Sequence, residues 1–92
     1  MAKKRVHLTI SGHVQGVYFR ANARDRAKRL GVKGWVKNLP NGDVEAVMEG
    51  EEKSLRDMIS WCQKGPPMAR VDGVDVAWRK FENQFDDFRI KY

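Results

Sequence analysis

The strongest constraint on how this chain can fold is one change of hydrophobic period within its first thirty residues. In the run RVHLTIS, residues 5–11, Val6, Leu8 and Ile10 alternate with Arg5, His7 and Thr9. A period of two places three apolar side chains on one face of a strand and leaves the other face half-buried. From Phe19 to Leu30 the spacing becomes helical: Phe19, Ala23, Ala27 and Leu30 form one stripe, and Arg20, Arg24 and Lys28 form another. Gly31 supplies the left-handed residue that stops a helix. The strand needs paired neighbours, and the helix needs an apolar sheet face to cover.

The rest of the chain provides both. Residues 32–50 read as two short strands around Pro40-Asn41-Gly42-Asp43, where proline presets one dihedral and Asn-Gly tolerates positive φ, so an antiparallel hairpin is expected. Glu51 and Glu52 open a second helix that runs to about Lys64, with Leu55, Met58, Ile59 and Cys62 on its buried stripe and Gly65-Pro66-Pro67 at its end. Cys62 thereby reads as a packing residue. Val74, Val76 and Trp78 mark a strand over 71–78, and Phe88, Ile90 and Tyr92 mark a last one. The order β-α-β-β-α-β plus a short C-terminal strand is the α+β, ferredoxin-like split βαβ plan: an antiparallel sheet with two helices on one face. Ninety-two residues suit one domain, spanning 1–92.

Composition narrows the chemistry. A single cysteine rules out an intrachain disulfide, and a reducing, cytoplasmic setting is expected. The opening MAKKRVHLTISGH lacks a signal-peptide core, and no run approaches the ~18 apolar residues of a membrane span. The net charge of +6 is uneven: residues 1–40 carry ten Lys/Arg and one acid, residues 41–92 eight and eleven. An anionic partner or a solvated basic face each accounts for that. No G-x-x-x-x-G-K-[ST] or G-x-G-x-x-G is present, and two histidines and one cysteine on different elements make a poor zinc set.

The remaining candidate is HVQGVYFR, residues 13–20, between the first strand and the first helix. Unpaired N–H groups and the macrodipole at a helix start favour an anion. Gly16 lets the backbone curl towards it, and Arg20 offers a planar fork matched to two phosphate oxygens. On these features alone, a phosphate cup and an ordinary turn before a basic surface residue both remain open.

Two longer patterns go further. Gly12-His13-Val14-Gln15-Gly16-Val17-Tyr18-Phe19-Arg20 resembles the first acylphosphatase signature, and residues 34–50, GWVKNLPNGDVEAVMEG, resemble the second. The resemblance covers essentially the whole chain. It implies hydrolysis of acyl phosphates of the acetyl phosphate or 1,3-bisphosphoglycerate type, without cofactor or metal, in a monomer. Arg20 is then implied as the essential phosphate ligand and Asn38 as the residue that positions water. The resemblance implies that the backbone N–H groups of Gln15, Gly16, Val17, Tyr18, Phe19 and Arg20 share the phosphate, while the side chains of Val14, Gln15 and Val17 are expected to shape the loop. Inorganic phosphate becomes both product and competitive inhibitor. His13 stands where the family often has lysine or arginine, which weakens one supporting charge at neutral pH. Two other readings compete. An RNA-binding module shares the topology, but it needs stacking aromatics that Val44–Gly50 lacks. A regulatory acylphosphatase-like domain would serve a larger protein, against which the end at Tyr92 argues.

Overall fold

Within the first strand the alternation is realised: Val6, Leu8 and Ile10 have no solvent exposure, whereas Arg5, His7 and Thr9 stay partly exposed. The computed structural model describes residues 2–92. In chain order the elements are β1 (Lys3–His13), α1 (Phe19–Leu30), β2 (Lys33–Asn38), β3 (Val44–Glu51), α2 (Glu52–Lys64), β4 (Arg70–Arg79) and β5 (Phe88–Lys91). Gly31 ends α1 with φ 72°.

The sheet order is β4-β1-β3-β2-β5. β1 pairs antiparallel with β3 and β4, and β2 pairs antiparallel with β3. β5 departs from the expected all-antiparallel sheet, because it runs parallel to β2 and makes the sheet mixed. The reason is directional. β4 and β2 point opposite ways, so a strand that follows β4 through one reversing connection must run alongside β2 in the same sense. That connection, residues 80–87, is tied down over the outer face at Glu49.

The core lies between the helix-facing side of the sheet and the two helices. Phe19 and Ala27 of α1 and Leu55, Met58 and Cys62 of α2 meet Leu8, Met48 and their neighbours there. Phe19 also packs on Trp61 with ring centroids 5.1 Å apart, which anchors the first turn of α1. β4 is an edge strand, so Val76 stays 38% exposed although it is in phase with Val74 and Trp78. Much of the charge asymmetry is internal. Lys4–Glu52, Arg5–Glu49, Lys28–Asp87 and Lys37–Glu45 each join a base from the first half to an acid from the second. Among the described residues no helix is long and apolar enough to cross a membrane.

Candidate active site

β1 ends after a register shift at Ser11/Gly12, and the chain turns through residues 14–18 into α1. Gly16 (φ 75°) and Tyr18 (φ 63°) are both left-handed. A Cβ at Gly16 would meet nothing within 4 Å, so the glycine answers a backbone demand and not a steric one. Tyr18 is the N-cap of α1 and makes no side-chain cap bond. Its carbonyl accepts from the Asn22 N–H at 3.1 Å and from Asn22 Nδ2 at 2.8 Å. The N–H groups of residues 19–21 precede that first helical bond and have no partner within the helix. The first turn contains no acid. This is a helix start left open to an anion.

The β2–β3 hairpin closes tightly beside it. The Leu39 N–H donates to the Asp43 carbonyl at 2.8 Å, and the Asp43 N–H donates to Asn41 Oδ1 at 3.0 Å. Gln15 joins loop to hairpin: its Nε2 donates to the Leu39 carbonyl at 2.8 Å and to the Asp43 carbonyl at 2.9 Å. The last residue of β2, Asn38, therefore comes to rest beside Arg20. Both line one cleft of about 380 Å³ together with Gly16, Tyr18, Ile90 and Tyr92.

Two polar groups in this cleft are unmatched. Among the described residues no carboxylate forms an ion pair with Arg20, whose guanidinium instead lies 5.3 Å from the centre of the Tyr92 ring. The amide oxygen of Asn38 is buried without a hydrogen-bond partner. An unmet buried acceptor costs about 1–3 kcal/mol, and a left-handed tyrosine adds about 1–3 kcal/mol of backbone strain.

Not every loop residue expected at the phosphate faces the cleft with its side chain. Val17 is a core residue, 3% exposed, and Phe19 is 2% exposed against Trp61. Only their N–H groups are available to a ligand. The Gln15 side chain is spent on the hairpin, in line with its reading as a shaping residue. Ile90 and Tyr92 were missed as cleft residues, since no local pattern announces which edge β5 joins. Other reactive groups lie elsewhere. His7 Nε2 is 2.7 Å from Glu45 Oε2 on the outer sheet face, and burial pushes the Cys62 thiol up to about 12. Among the described residues no three His, Cys, Asp or Glu side chains converge on a metal position. The outer face of the central strands β1 and β3 presents Arg5, His7, Glu45 and Glu49, without the aromatic platform that base stacking requires.

Similarity to known proteins is continuous along the chain. The acylphosphatase family model matches residues 6–90. An acylphosphatase of Roseiflexus sp. (strain RS-1) is 56% identical, covering 98% of this chain and 97% of its own length. One from Syntrophus aciditrophicus (strain SB) is 52% identical, with 97% and 93% covered. The structure of an acylphosphatase from Coxiella burnetii superposes with a TM-score of 0.92 at 43% identity, over 97% of this chain and 93% of that one. The family match, the full-length relatives and the shared fold together establish that this chain belongs to the acylphosphatase family of enzymes.

Proposed function

We propose that the chain hydrolyses the carboxyl–phosphate bond of acyl phosphates through Arg20 and Asn38, releasing a carboxylate and inorganic phosphate. One observation carries the reading: an arginine without an acidic partner among the described residues and an asparagine with an unmet amide oxygen line the same cleft, beside an uncapped helix start.

The chemistry asks for little more. Water attacks phosphorus, the P–O bond to the acyl group breaks, and the leaving carboxylate has a conjugate acid of pKa about 4, so it departs without a general acid. The remaining tasks are to hold the phosphoryl group, spread its charge and aim the water; phosphoryl transfer is largely positioning and electrostatics. Arg20 takes two equatorial oxygens in its planar fork, and the loop N–H groups of residues 15–20 take the rest. Asn38 orients the water. Its amide has a donor and an acceptor of nearly equal size, and a half-turn of the amide exchanges which end meets the cleft. In a loose transition state the nucleophile needs direction more than basicity, so a neutral amide suffices. The proton of the attacking water passes to a phosphoryl oxygen. As the resemblance implies, a monomer is the expected active unit.

The test is hydrolysis of acetyl and benzoyl phosphate in EDTA, with inorganic phosphate as a competitor. Turnover with competitive inhibition is expected. Turnover that phosphate does not inhibit would remove the cup from the mechanism.

A further inference from the structure

We propose that Asn22, two residues beyond the end of the first signature, is a positioning residue: its side chain holds the Tyr18–Phe19 peptide in the orientation that aims the Phe19 N–H at the bound phosphoryl group. The inference rests on the proposed function and adds a residue to it.

Stereochemistry carries the argument. In a trans peptide unit the carbonyl and the N–H point in opposite directions. The Tyr18 carbonyl points into α1, where it accepts from the Asn22 N–H at 3.1 Å and from Asn22 Nδ2 at 2.8 Å. The N–H of the same unit, that of Phe19, therefore leaves the helix start in the opposite sense, towards an anion held at that end. Rotating this one peptide plane would break both bonds and swing the N–H away.

That rotation would also relieve strain, because a tyrosine avoids the left-handed region that Tyr18 occupies at φ 63° and ψ 24°. Packing does not hold it there: the Tyr18 side chain is 73% exposed and makes no cap bond. Beyond the peptide, Phe19 is fixed by its ring on Trp61. Before it, the restraint is the pair of bonds on the Tyr18 carbonyl, and Asn22 Nδ2 supplies the shorter of the two. Helix propensity does not explain an asparagine as the fourth residue of α1, since asparagine is a poor helix former. Its donor group does.

The experiment measures KM and kcat for benzoyl phosphate, the inhibition constant of inorganic phosphate and the urea midpoint in the wild type and in Asn22→Ala, each with and without Tyr18→Gly. Asn22→Ala is expected to raise KM and the phosphate constant about fivefold. The change in kcat should be smaller, since the phosphoryl oxygens meet the loop both before and during reaction. The midpoint should stay level or rise, because alanine is the better helix former. In the Tyr18→Gly background, where the left-handed turn carries no strain, Asn22→Ala is expected to cost less than about twofold. An unchanged phosphate constant in Asn22→Ala overturns the proposal. So does a loss of equal size in the Tyr18→Gly background, or a loss accompanied by a lower midpoint, either of which would make Asn22 a general support of the helix. Those results leave the proposed function intact. A wild type that neither hydrolyses benzoyl phosphate nor binds inorganic phosphate overturns both.

Discussion

The two ends of the sheet treat buried polar groups in opposite ways. At the start of β1, Glu49 is 3% exposed and accepts from the Glu82 N–H at 2.7 Å, the Gln84 N–H at 2.9 Å and Arg5 at 3.4 Å. Burial pushes this carboxyl up, but those donors outweigh it and hold its pKa below the usual value. Arg5 also donates to Gln84 Oε1 at 2.6 Å and lies over the Phe85 ring. The result is a clasp that holds residues 80–87 and so directs β5. At the other end, among the described residues, Arg20 has no acidic partner, Asn38 has an unmet oxygen, and the first turn of α1 has no side-chain cap. One end is electrostatically complete and the other is held open; on the proposed function the first supports the fold and the second awaits a ligand. Glu51 is the exception at the clasped end: its Oε2 is also unpartnered, but it sits at the N-terminus of α2, where the dipole favours an acid.

The contrast is most exposed to test at Arg20. Arg20→Gln is expected to lower kcat/KM for benzoyl phosphate by at least about 10²–10³, while the unfolding free energy stays within about 0.5 kcal/mol of wild type. Denaturant unfolding beside steady-state kinetics reads both, and a large stability loss would move Arg20 into the supporting class. Asn38→Ala is expected to cost about 10² in turnover and to leave stability unchanged or raised by up to about 1 kcal/mol, because an unmet acceptor disappears. A clear destabilisation would mean that the amide is paired in the free protein.

The clasped end predicts the reverse pattern. Glu49→Gln should lose about 2–3 kcal/mol of stability, since the Arg5 guanidinium and the loop N–H groups are left underpaired. Its pH signature has a definite sign. The folded pKa lies below the unfolded value of about 4.3, so the carboxylate's contribution is complete above that pH and is lost as pH falls through the folded pKa. Wild type should therefore lose stability on acidification more steeply than Glu49→Gln; parallel acid limbs would show that the clasp does not depend on charge. Gln15→Ala sharpens the boundary between the two behaviours, because this residue supports the open end. Loss of its two bonds to the hairpin should cost about 1 kcal/mol of stability and roughly fivefold in kcat/KM. Unchanged kinetics would mean that the loop holds its shape without the hairpin.

What was legible in the sequence was what short-range physics controls. The limits of α1, Phe19 to Leu30, follow from a 3.6-residue period and Gly31. The hairpin turn follows from Pro-Asn-Gly-Asp, and the turn at Gly16 before a helix start follows from a glycine between a strand pattern and a helix pattern. The core role of Cys62 was legible for the same reason, as part of a helical stripe. Glu49 was different. The partners that bury it are 33 and 35 residues away. Nothing local announces a carboxylate clasp at that distance.

The sequence by itself determined the elements, their order and the loop that carries Arg20, because periodicity, turn chemistry and helix starts act over a few residues. Tertiary structure alone decided the parallel docking of β5 on β2, the meeting of Asn38 and Arg20 in one cleft beside the Gln15 bridge, and the presence of Ile90 and Tyr92 in the lining of that cleft. Those outcomes depend on which strand edges remain unpaired once β1, β3 and the helices have packed, and that is a property of the whole assembly.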